Sequence, residues 1–220
     1  MEFKAAIFDM DGTLIDSLIF WEYLWSYCGE RYLGDKGFSP REEDDKKVRT
    51  LTMKDAMYLI HDRYGIAESG EALLRVANDL IRDFYENRVE LKDGAADFLA
   101  YCQKNGVKMC IASATAPELV RVAMKRCGIE PYFSAVISCA DFGKGKDAPD
   151  VFLGAVGHLG ECIEDTWVFE DSAVAVETAV NIGMPVVGIF DRNNYGQDKI
   201  RALARVYVGP GETLKKLIKE

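Results

Sequence analysis

A short apolar run near the start of the chain predicts a strand that is buried on both faces. The run, Ala5-Ala6-Ile7-Phe8, ends abruptly at the polar stretch Asp9-Met10-Asp11-Gly12. Continuous apolar runs of this length are typical of parallel sheets that helices cover on both faces. Side chains alternate along a strand, so Asp9 and Asp11 should leave its carboxyl end on the same side. Gly12 allows the backbone to turn sharply after them.

The segment from residue 16 to residue 89 has helical periodicity and no convincing strand pattern. Ser17 is predicted to cap its first helix. The polar stretch 34–47 contains a dense acidic run, which we interpret as the solvated start of a second helix. Further helices are predicted over 54–64 and 71–86. We therefore expect a separate all-helical domain over residues 16–89.

From residue 91 onward the pattern alternates between strands and helices, which predicts a parallel sheet with crossover helices. Strands are predicted over 107–112, 135–138, 167–169 and 185–189, with an edge strand over 206–208. An amphipathic terminal helix is predicted over 212–219. The fold class is therefore α/β: a doubly wound parallel sheet, built from residues 1–15 and 90–220, with the helical domain inserted after its first strand.

Composition narrows the range of partners. The chain has 220 residues, of which 49% are hydrophobic, and this is enough for one large domain or two unequal ones. The formal net charge of −9 argues against a nucleic-acid backbone or an anionic membrane as the main partner. No apolar run approaches the length of a membrane span, and no signal peptide is predicted because the chain starts directly on a strand.

The cysteine pattern indicates a reducing, cytoplasmic environment. The six cysteines are scattered, and no two of them form a C-x-x-C pair. Most have apolar neighbours, so they are interpreted as reduced core residues. The two histidines, His61 and His158, lie on different predicted helices, which argues against a histidine-based zinc site.

The two carboxylates at the end of the first strand are the first candidate for chemistry. Like charges about 4 Å apart repel by roughly 4 kcal/mol at an effective dielectric near 20. Asp9 and Asp11 would therefore need a metal ion, a cationic partner or a shared proton. The alternative is a solvated Asp-Gly turn after an ordinary strand.

Three later stretches also place polar residues at strand ends or in loops. Ser113 follows an apolar strand and could either hold an anion or cap a helix. The loop 143–150 carries Lys144 and Lys146, which could form a cation site or a solvated basic loop. Glu170 and Asp171 end another strand, where they could bind Mg²⁺ or simply begin a helix.

In this order, the four stretches resemble the motifs of the haloacid dehalogenase-like (HAD) hydrolase superfamily. The residues that carry the resemblance are Asp9-Met10-Asp11-Gly12-Thr13, Ser113, Lys146 and Glu170-Asp171-Ser172. The helical insert is similar to the cap of the subgroup that includes β-phosphoglucomutase and phosphoglycolate phosphatase. Two positions depart from the family pattern. Asp147 stands where Pro is usual, which leaves Lys144 as a rival to Lys146, and Ala175 stands where Gly is usual.

The resemblance implies a Rossmann-like HAD core and a Mg²⁺-dependent phosphatase that acts on a small phosphorylated metabolite. It implies that Asp9 attacks phosphorus to form an aspartyl-phosphate, while Asp11 serves as general acid and then base. The implied metal ligands are Asp9, the backbone carbonyl of Asp11, Asp171 and Glu170. The implied phosphoryl-binding residues are Ser113 and Lys146, with Gly12, Thr13 and Ala114 as further substrate-binding positions.

Within the helical insert, the polar turn before the helix at 54–64 is a candidate for substrate recognition. Lys54, Thr50 and Thr52 are predicted to face the substrate, because this turn resembles the specificity loop of related caps. The alternative is a solvated helix start.

Two other functions remain open. A β-phosphoglucomutase-type mutase would use the same site and return the phosphoryl group to a sugar, but such enzymes often carry Val at the position of Thr13. The second alternative is a module that binds phosphate without catalysis. The complete set of motif residues argues against it. Dehalogenase and phosphonoacetaldehyde hydrolase chemistry are disfavoured by Asp11. The sequence leaves the substrate and the oligomeric state open.

Overall fold

The computed structural model describes residues 3–49 and 51–219, and the chain divides into two compact units. Unit 1 consists of Met1–Leu18 and Val89–Glu220, and unit 2 consists of Ile19–Arg88. Among the residues described, no helix is both long enough and apolar enough to cross a membrane.

The described part of unit 1 contains a parallel sheet of six strands. The strands are β1 (Ala5–Phe8), β2 (Lys108–Ser113), β3 (Val136–Ser138), β4 (Thr166–Glu170), β5 (Val186–Ile189) and β6 (Val206–Val208). Their order is β3-β2-β1-β4-β5-β6, and every neighbouring pair is parallel. The order reverses between β1 and β4, the point at which open α/β sheets bind ligands. The predicted doubly wound α/β fold is confirmed.

The first strand lies at the centre of the sheet, as its unbroken apolar sequence predicts. All four of its residues are buried, and Ile7 lies opposite Cys110 on β2 and Val168 on β4. Phe8 stacks on Phe169 with ring centroids 4.4 Å apart. The carboxyl end of β1 is therefore anchored by packing on both sides, which fixes the backbone from which the next residues project.

Helices occupy most of unit 2 and the crossovers of unit 1. The helices of unit 2 are α1 (Phe20–Cys28), α2 (Glu42–Val48), α3 (Met53–Tyr64) and α4 (Gly70–Asn87), and a short π-helix (Gly29–Leu33) continues α1. The helices of unit 1 are α5 (Ala95–Lys104), α6 (Pro117–Cys127), α7 (Asp150–Leu159), α8 (Ala173–Asn181) and α9 (Gln197–Leu203). The predicted all-helical insert is confirmed.

Two predictions about unit 2 are wrong. Ser17 does not cap α1, because its hydroxyl donates to Asp11 and the N-cap position is held by Ile19. The acidic run is not simply solvated, because Asp44 and Asp45 are buried. Their carboxylates accept hydrogen bonds from side chains distant in sequence, and periodicity alone carries no signal for such partners. The donors are Tyr64 and Arg63 for Asp44, and Trp25 for Asp45.

The end of the chain also differs from the prediction. Residues 212–219 do not form an α-helix, and Leu214–Leu217 make a short 3₁₀ turn instead. Thr213 caps this turn by accepting from the backbone N–H of Lys215. Helix α9 was not predicted, because a polar stretch and Gly196 precede it and its seven residues give little periodicity.

Candidate active site

The site begins where β1 ends. The backbone N–H of Asp9 donates to the carbonyl of Phe169 at 2.9 Å, which holds the tip of β1 against β4. The Asp9 carboxylate is buried. Because the last residue of β4 is Glu170, followed by Asp171, three carboxyl groups converge at the switch point of the sheet. Three carboxylate oxygens lie within 4.8 Å of one another, one each from Asp9, Glu170 and Asp171.

Lys146 supplies a positive charge to this cluster. Its Nζ donates to Oδ1 of Asp9 and to Oε1 of Glu170, and its side chain is only 11% exposed. Burial opposes the charge on the lysine, but Asp9 and Glu170 outweigh it and raise the pKa of Lys146 above its ordinary value. The lysine is therefore held charged between two strand ends.

The rival lysine lies elsewhere. Lys144 is exposed and pairs with Asp150, the first residue of α7, at 2.9 Å. Asp147, which follows Lys146, is exposed as well. Of the two lysines in this loop, the structure thus brings Lys146 to the carboxylates.

One lysine does not balance three buried carboxyl groups. Burial, together with Glu170 and Asp171, raises the pKa of Asp9 well above its ordinary value despite Lys146. Burial and the charge of Glu170 likewise raise the pKa of Asp171 to about 7. Hard divalent cations prefer carboxylate oxygens, and a cation here would offset the repulsion that these pKa values reflect. The donor set fits Mg²⁺.

Glu170 is fixed by the backbone that follows it. Its Oε2 accepts from the N–H groups of Asp171 and Ser172, at 3.0 and 2.9 Å. These bonds occupy one carboxylate oxygen at the start of α8. The other oxygen, Oε1, receives Lys146.

Asp171 is held by the turn after β1. Thr13 is buried, and its hydroxyl donates to Oδ1 of Asp171 at 2.8 Å. Gly12 has a φ of +83°, and a Cβ at this position would lie 2.3 Å from Oδ2 of the same carboxylate. A glycine is therefore required both by the backbone conformation and by the close approach of Asp171.

Asp11 points to a different set of partners. Its Oδ1 accepts from the hydroxyl of Ser17 at 2.7 Å, and its Oδ2 accepts from the hydroxyl of Thr115 at 2.8 Å. The Asp11 carboxylate is thus oriented by two hydroxyl groups, one on each oxygen, and does not belong to the cluster of three carboxylates.

Ser113 ends β2 and is buried beside β1. Its hydroxyl oxygen accepts from the backbone N–H of Thr115 at 3.0 Å, which closes a tight turn over the exposed Ala114. Since that oxygen is used as an acceptor, the hydroxyl proton remains to be donated in another direction. The turn precedes α6, whose first residue is Pro117.

Three residues of this region were missed by sequence reasoning. Asn194 donates to the carbonyl and to Oδ2 of Asp171, and Lys92 pairs with the buried Asp191 at 2.6 Å. The available signal for Asp191 and Asn194 was a polar stretch that begins after Phe190, one residue beyond β5, and this resembles the pattern at the ends of β1 and β4.

The candidates in unit 2 lie at the start of α3. Lys54 is exposed, with its Nζ 5.9 Å from the ring centroid of Tyr58, and Thr52 caps the helix by accepting from the N–H of Asp55. Thr50 lies outside the described residues. Their predicted contact with substrate stays a prediction.

The chain is similar in sequence to known proteins. A family model for haloacid dehalogenase-like hydrolases matches residues 3–183. A phosphorylated carbohydrates phosphatase of Thermotoga maritima is 24% identical, over 97% of this chain and 98% of its own length. A β-phosphoglucomutase of Bacillus subtilis is 25% identical, over 84% of this chain and 83% of its own.

A solved structure shares the fold. The crystal structure of a mutant CbbY protein from Rhodobacter sphaeroides, in complex with xylulose-(1,5)bisphosphate, superposes with a TM-score of 0.75 at 20% identity. The match covers 93% of each chain. At this identity the likeness concerns the architecture.

Proposed function

Because this chain belongs to the haloacid dehalogenase-like hydrolase family, we propose that it hydrolyses a small phosphorylated metabolite through an aspartyl-phosphate formed on Asp9. The family match and the named phosphatase among its relatives make it a phosphoric monoester hydrolase. The observation that carries the mechanism is the convergence of Asp9, Glu170 and Asp171 with Lys146 at the switch point of the sheet.

In the first step, a carboxylate oxygen of Asp9 forms a bond to phosphorus while the bond from phosphorus to the ester oxygen breaks. The departing oxygen takes a proton from the carboxyl group of Asp11. Asp9 suits the first role because it is buried at a rigid strand end, and Asp11 suits the second because its carboxylate is separately held by Ser17 and Thr115.

In the second step, water attacks the phosphorus of the aspartyl-phosphate. Asp11, now ionised, accepts the proton of that water. The bond between phosphorus and Asp9 breaks, which releases inorganic phosphate and restores both carboxyl groups. Splitting one displacement into two in this way is the general advantage of covalent catalysis.

The residues that would hold Mg²⁺ are Asp9, Asp171 and Glu170, with the backbone carbonyl of Asp11. When bound, the ion stabilises negative charge on the phosphoryl oxygens. The chain itself contributes Thr13, which keeps the Asp171 carboxylate in one orientation.

Ser113 and Lys146 are proposed to hold the phosphoryl group. The Ser113 hydroxyl oxygen accepts a hydrogen bond from the backbone N–H of Thr115. The hydroxyl proton takes no part in that bond, so it can be donated to a phosphate oxygen. Lys146 is kept charged by two carboxylates, so it can donate to a phosphate oxygen when one enters the site. Ala114 is proposed to offer its backbone N–H group. The N–H of Gly12 already donates to the Ile15 carbonyl at 3.0 Å, so Gly12 is proposed to contribute only through the tight turn after β1.

Residues 16–89 are proposed to act as a cap that excludes water and carries contacts to the leaving group. Lys54 is the candidate for that contact. This assignment follows from the resemblance to family members with a helical cap and from the helices that make up the described part of unit 2.

Hydrolysis is tested by measuring free phosphate from a panel of sugar phosphates, nucleotides, phosphoglycolate and pyridoxal phosphate, with and without prior chelation. We expect phosphate release that chelation abolishes and added Mg²⁺ restores. Full activity after exhaustive chelation would contradict the metal requirement.

Phosphoryl transfer to a sugar is the second candidate, because one relative is a β-phosphoglucomutase. β-Glucose 1-phosphate with a trace of the 1,6-bisphosphate distinguishes the two. Rapid formation of glucose 6-phosphate with little free phosphate would establish a mutase, whereas free phosphate without isomerisation supports hydrolysis.

A further inference from the structure

We propose that Thr115 is a positioning residue, which sets the orientation of the general acid Asp11 through its side-chain hydroxyl. The proposal rests on the proposed function, in which Asp11 protonates the leaving oxygen. It assigns a role to the turn after β2 beyond that of holding the phosphoryl group.

The contacts of Thr115 connect two separate parts of the site. Its hydroxyl donates to Oδ2 of Asp11 at 2.8 Å, and its backbone N–H donates to Oγ of Ser113 at 3.0 Å. Thr115 lies 104 positions from Asp11 in the sequence, so this contact exists only when β1 and β2 are paired. One residue thus ties the acid to the residue proposed to hold phosphate.

The geometry shows why the orientation of Asp11 needs support. A carboxyl group can rotate about the bond to its Cβ atom, and only a narrow range of this roughly two-fold torsion directs an oxygen toward a given leaving group. Ser17 holds Oδ1 from the segment after β1, and Thr115 holds Oδ2 from the segment after β2. With a donor on each oxygen, rotation breaks both hydrogen bonds.

The effect should depend on the leaving group. Protonation matters most when the departing oxygen is strongly basic, as in an alkyl phosphate, and least for p-nitrophenyl phosphate, whose leaving group is stable as an anion. A residue that serves only the fold would slow both substrates equally. A residue that positions the acid would slow the alkyl phosphate selectively.

The test compares Thr115→Val with Thr115→Ser in single-turnover experiments, with enzyme in excess. The measured quantity is the rate of leaving-group release, for p-nitrophenyl phosphate and for the best alkyl phosphate found in the substrate screen. Single turnover isolates the step in which Asp11 is the acid. Thr178→Val is the matched control, because it also removes a threonine hydroxyl, one that donates to the Val174 carbonyl on α8.

We expect Thr115→Val to slow the alkyl phosphate by about 10- to 100-fold, which is at or below the lower end of the roughly 10²- to 10⁴-fold that general acid catalysis contributes, because Asp11 itself is kept. Release of p-nitrophenol should change less than about threefold. Thr115→Ser keeps the hydroxyl and should restore both rates, and Thr178→Val should resemble the wild type. Equal slowing of both substrates, or failure of Thr115→Ser to restore the selective loss, would overturn the proposal.

Asp11→Asn separates this proposal from the proposed function. If Asp11→Asn shows the selective loss and Thr115→Val does not, Asp11 is the acid and the role of Thr115 is refuted. If Asp11→Asn itself shows no dependence on the leaving group, the assignment of Asp11 fails, and the role of Thr115 fails with it.

Discussion

Asn194 holds Asp171 through two hydrogen bonds from a single amide nitrogen. Its Nδ2 donates to the Asp171 carbonyl at 2.9 Å and to Oδ2 at 2.7 Å. The amide cannot be reversed without loss, because its Oδ1 accepts from the backbone N–H of Tyr195. The loop after β5 therefore orients a carboxylate that is proposed to bind metal, as residues behind metal ligands commonly do.

Asn194→Ala should weaken Mg²⁺ binding by roughly 10- to 100-fold, because the Asp171 carboxylate loses one of the donors that orient it. Isothermal titration calorimetry of the purified protein measures this directly. Asn87→Ala is a matched control, since Asn87 donates only at the surface of α4, to Asp83. An unchanged dissociation constant in Asn194→Ala would show that Thr13 alone is enough to orient Asp171.

Asp9→Asn should abolish phosphate release, by roughly 10⁴-fold or more, because an amide is a poor nucleophile at phosphorus. The fold should survive. Burial and the acidic neighbours of Asp9 raise its pKa, so Asn replaces a group whose ionised form these surroundings disfavour. Circular dichroism and thermal unfolding check the fold. Near-normal turnover would defeat the covalent mechanism.

Lys146→Met and Lys144→Met form a matched pair. The first leaves Asp9 and Glu170 buried without their cation, and should cost the metal-free protein about 3–5 kcal/mol of unfolding free energy, as well as activity. The second breaks an exposed pair with Asp150 and should change stability by no more than about 1 kcal/mol. Urea unfolding and phosphate release measure the two effects. Loss of activity in Lys144→Met alone would reverse the assignment.

Asp44 should make the stability of the protein depend on pH in the acid range. The Tyr64 hydroxyl, together with Arg41 and Arg63, holds the pKa of Asp44 below its ordinary value of 3.8. A lowered pKa means that the folded state favours the ionised form. The stabilisation is therefore fully present above the unfolded value and is lost as pH falls through the folded one.

Urea unfolding of the wild type and of Asp44→Asn from pH 3 to pH 7 measures this contribution. The difference between the two should be largest above about pH 5 and should shrink as pH falls below about 4. Asp62→Asn, at an exposed position of α3, should show a smaller difference at every pH. A difference in unfolding free energy that does not vary with pH would indicate that the charge of Asp44 does not contribute to stability.

Lys54→Ala should raise KM for the natural substrate and spare p-nitrophenyl phosphate, if Lys54 recognises the leaving group. Lys36→Ala removes another exposed lysine of unit 2 and serves as the control. Steady-state kinetics with both substrates provide the measurement. Equal changes in KM for the two substrates would show that Lys54 does not recognise the leaving group and is only a solvated residue at the start of α3.

The strands and their polar ends could be predicted, because a fully buried strand has an unbroken apolar sequence and the change to polar residues is abrupt. β1 and β4 both show this pattern, and the structure places Asp9 beside Glu170 and Asp171. Lys146 was the harder case, since it comes from a loop with two lysines. Only the fold of that loop separates it from Lys144.

Contacts that depend on the conformation of a turn could not be predicted. Thr115 reaches Asp11 because a tight turn follows β2, and Asn194 reaches Asp171 because the loop after β5 folds back. The prediction that Ser17 caps α1 was wrong for the same reason, because the conformation of the turn before the helix could not be predicted. A serine near a helix start carries no sign that its hydroxyl turns toward a carboxylate instead.

Synthesis on the ribosome makes β1 first, although β1 is the strand that needs both of its neighbours. Ala5 pairs with Lys108 on one side and with Thr166 on the other. At about 5–20 residues per second, roughly 8–30 s of translation separate β1 from β4. For that time a wholly apolar strand has an unpaired edge, and all of unit 2 is made before either neighbour of β1. Until β4 emerges, the nascent chain therefore carries an apolar strand edge that is prone to non-native pairing.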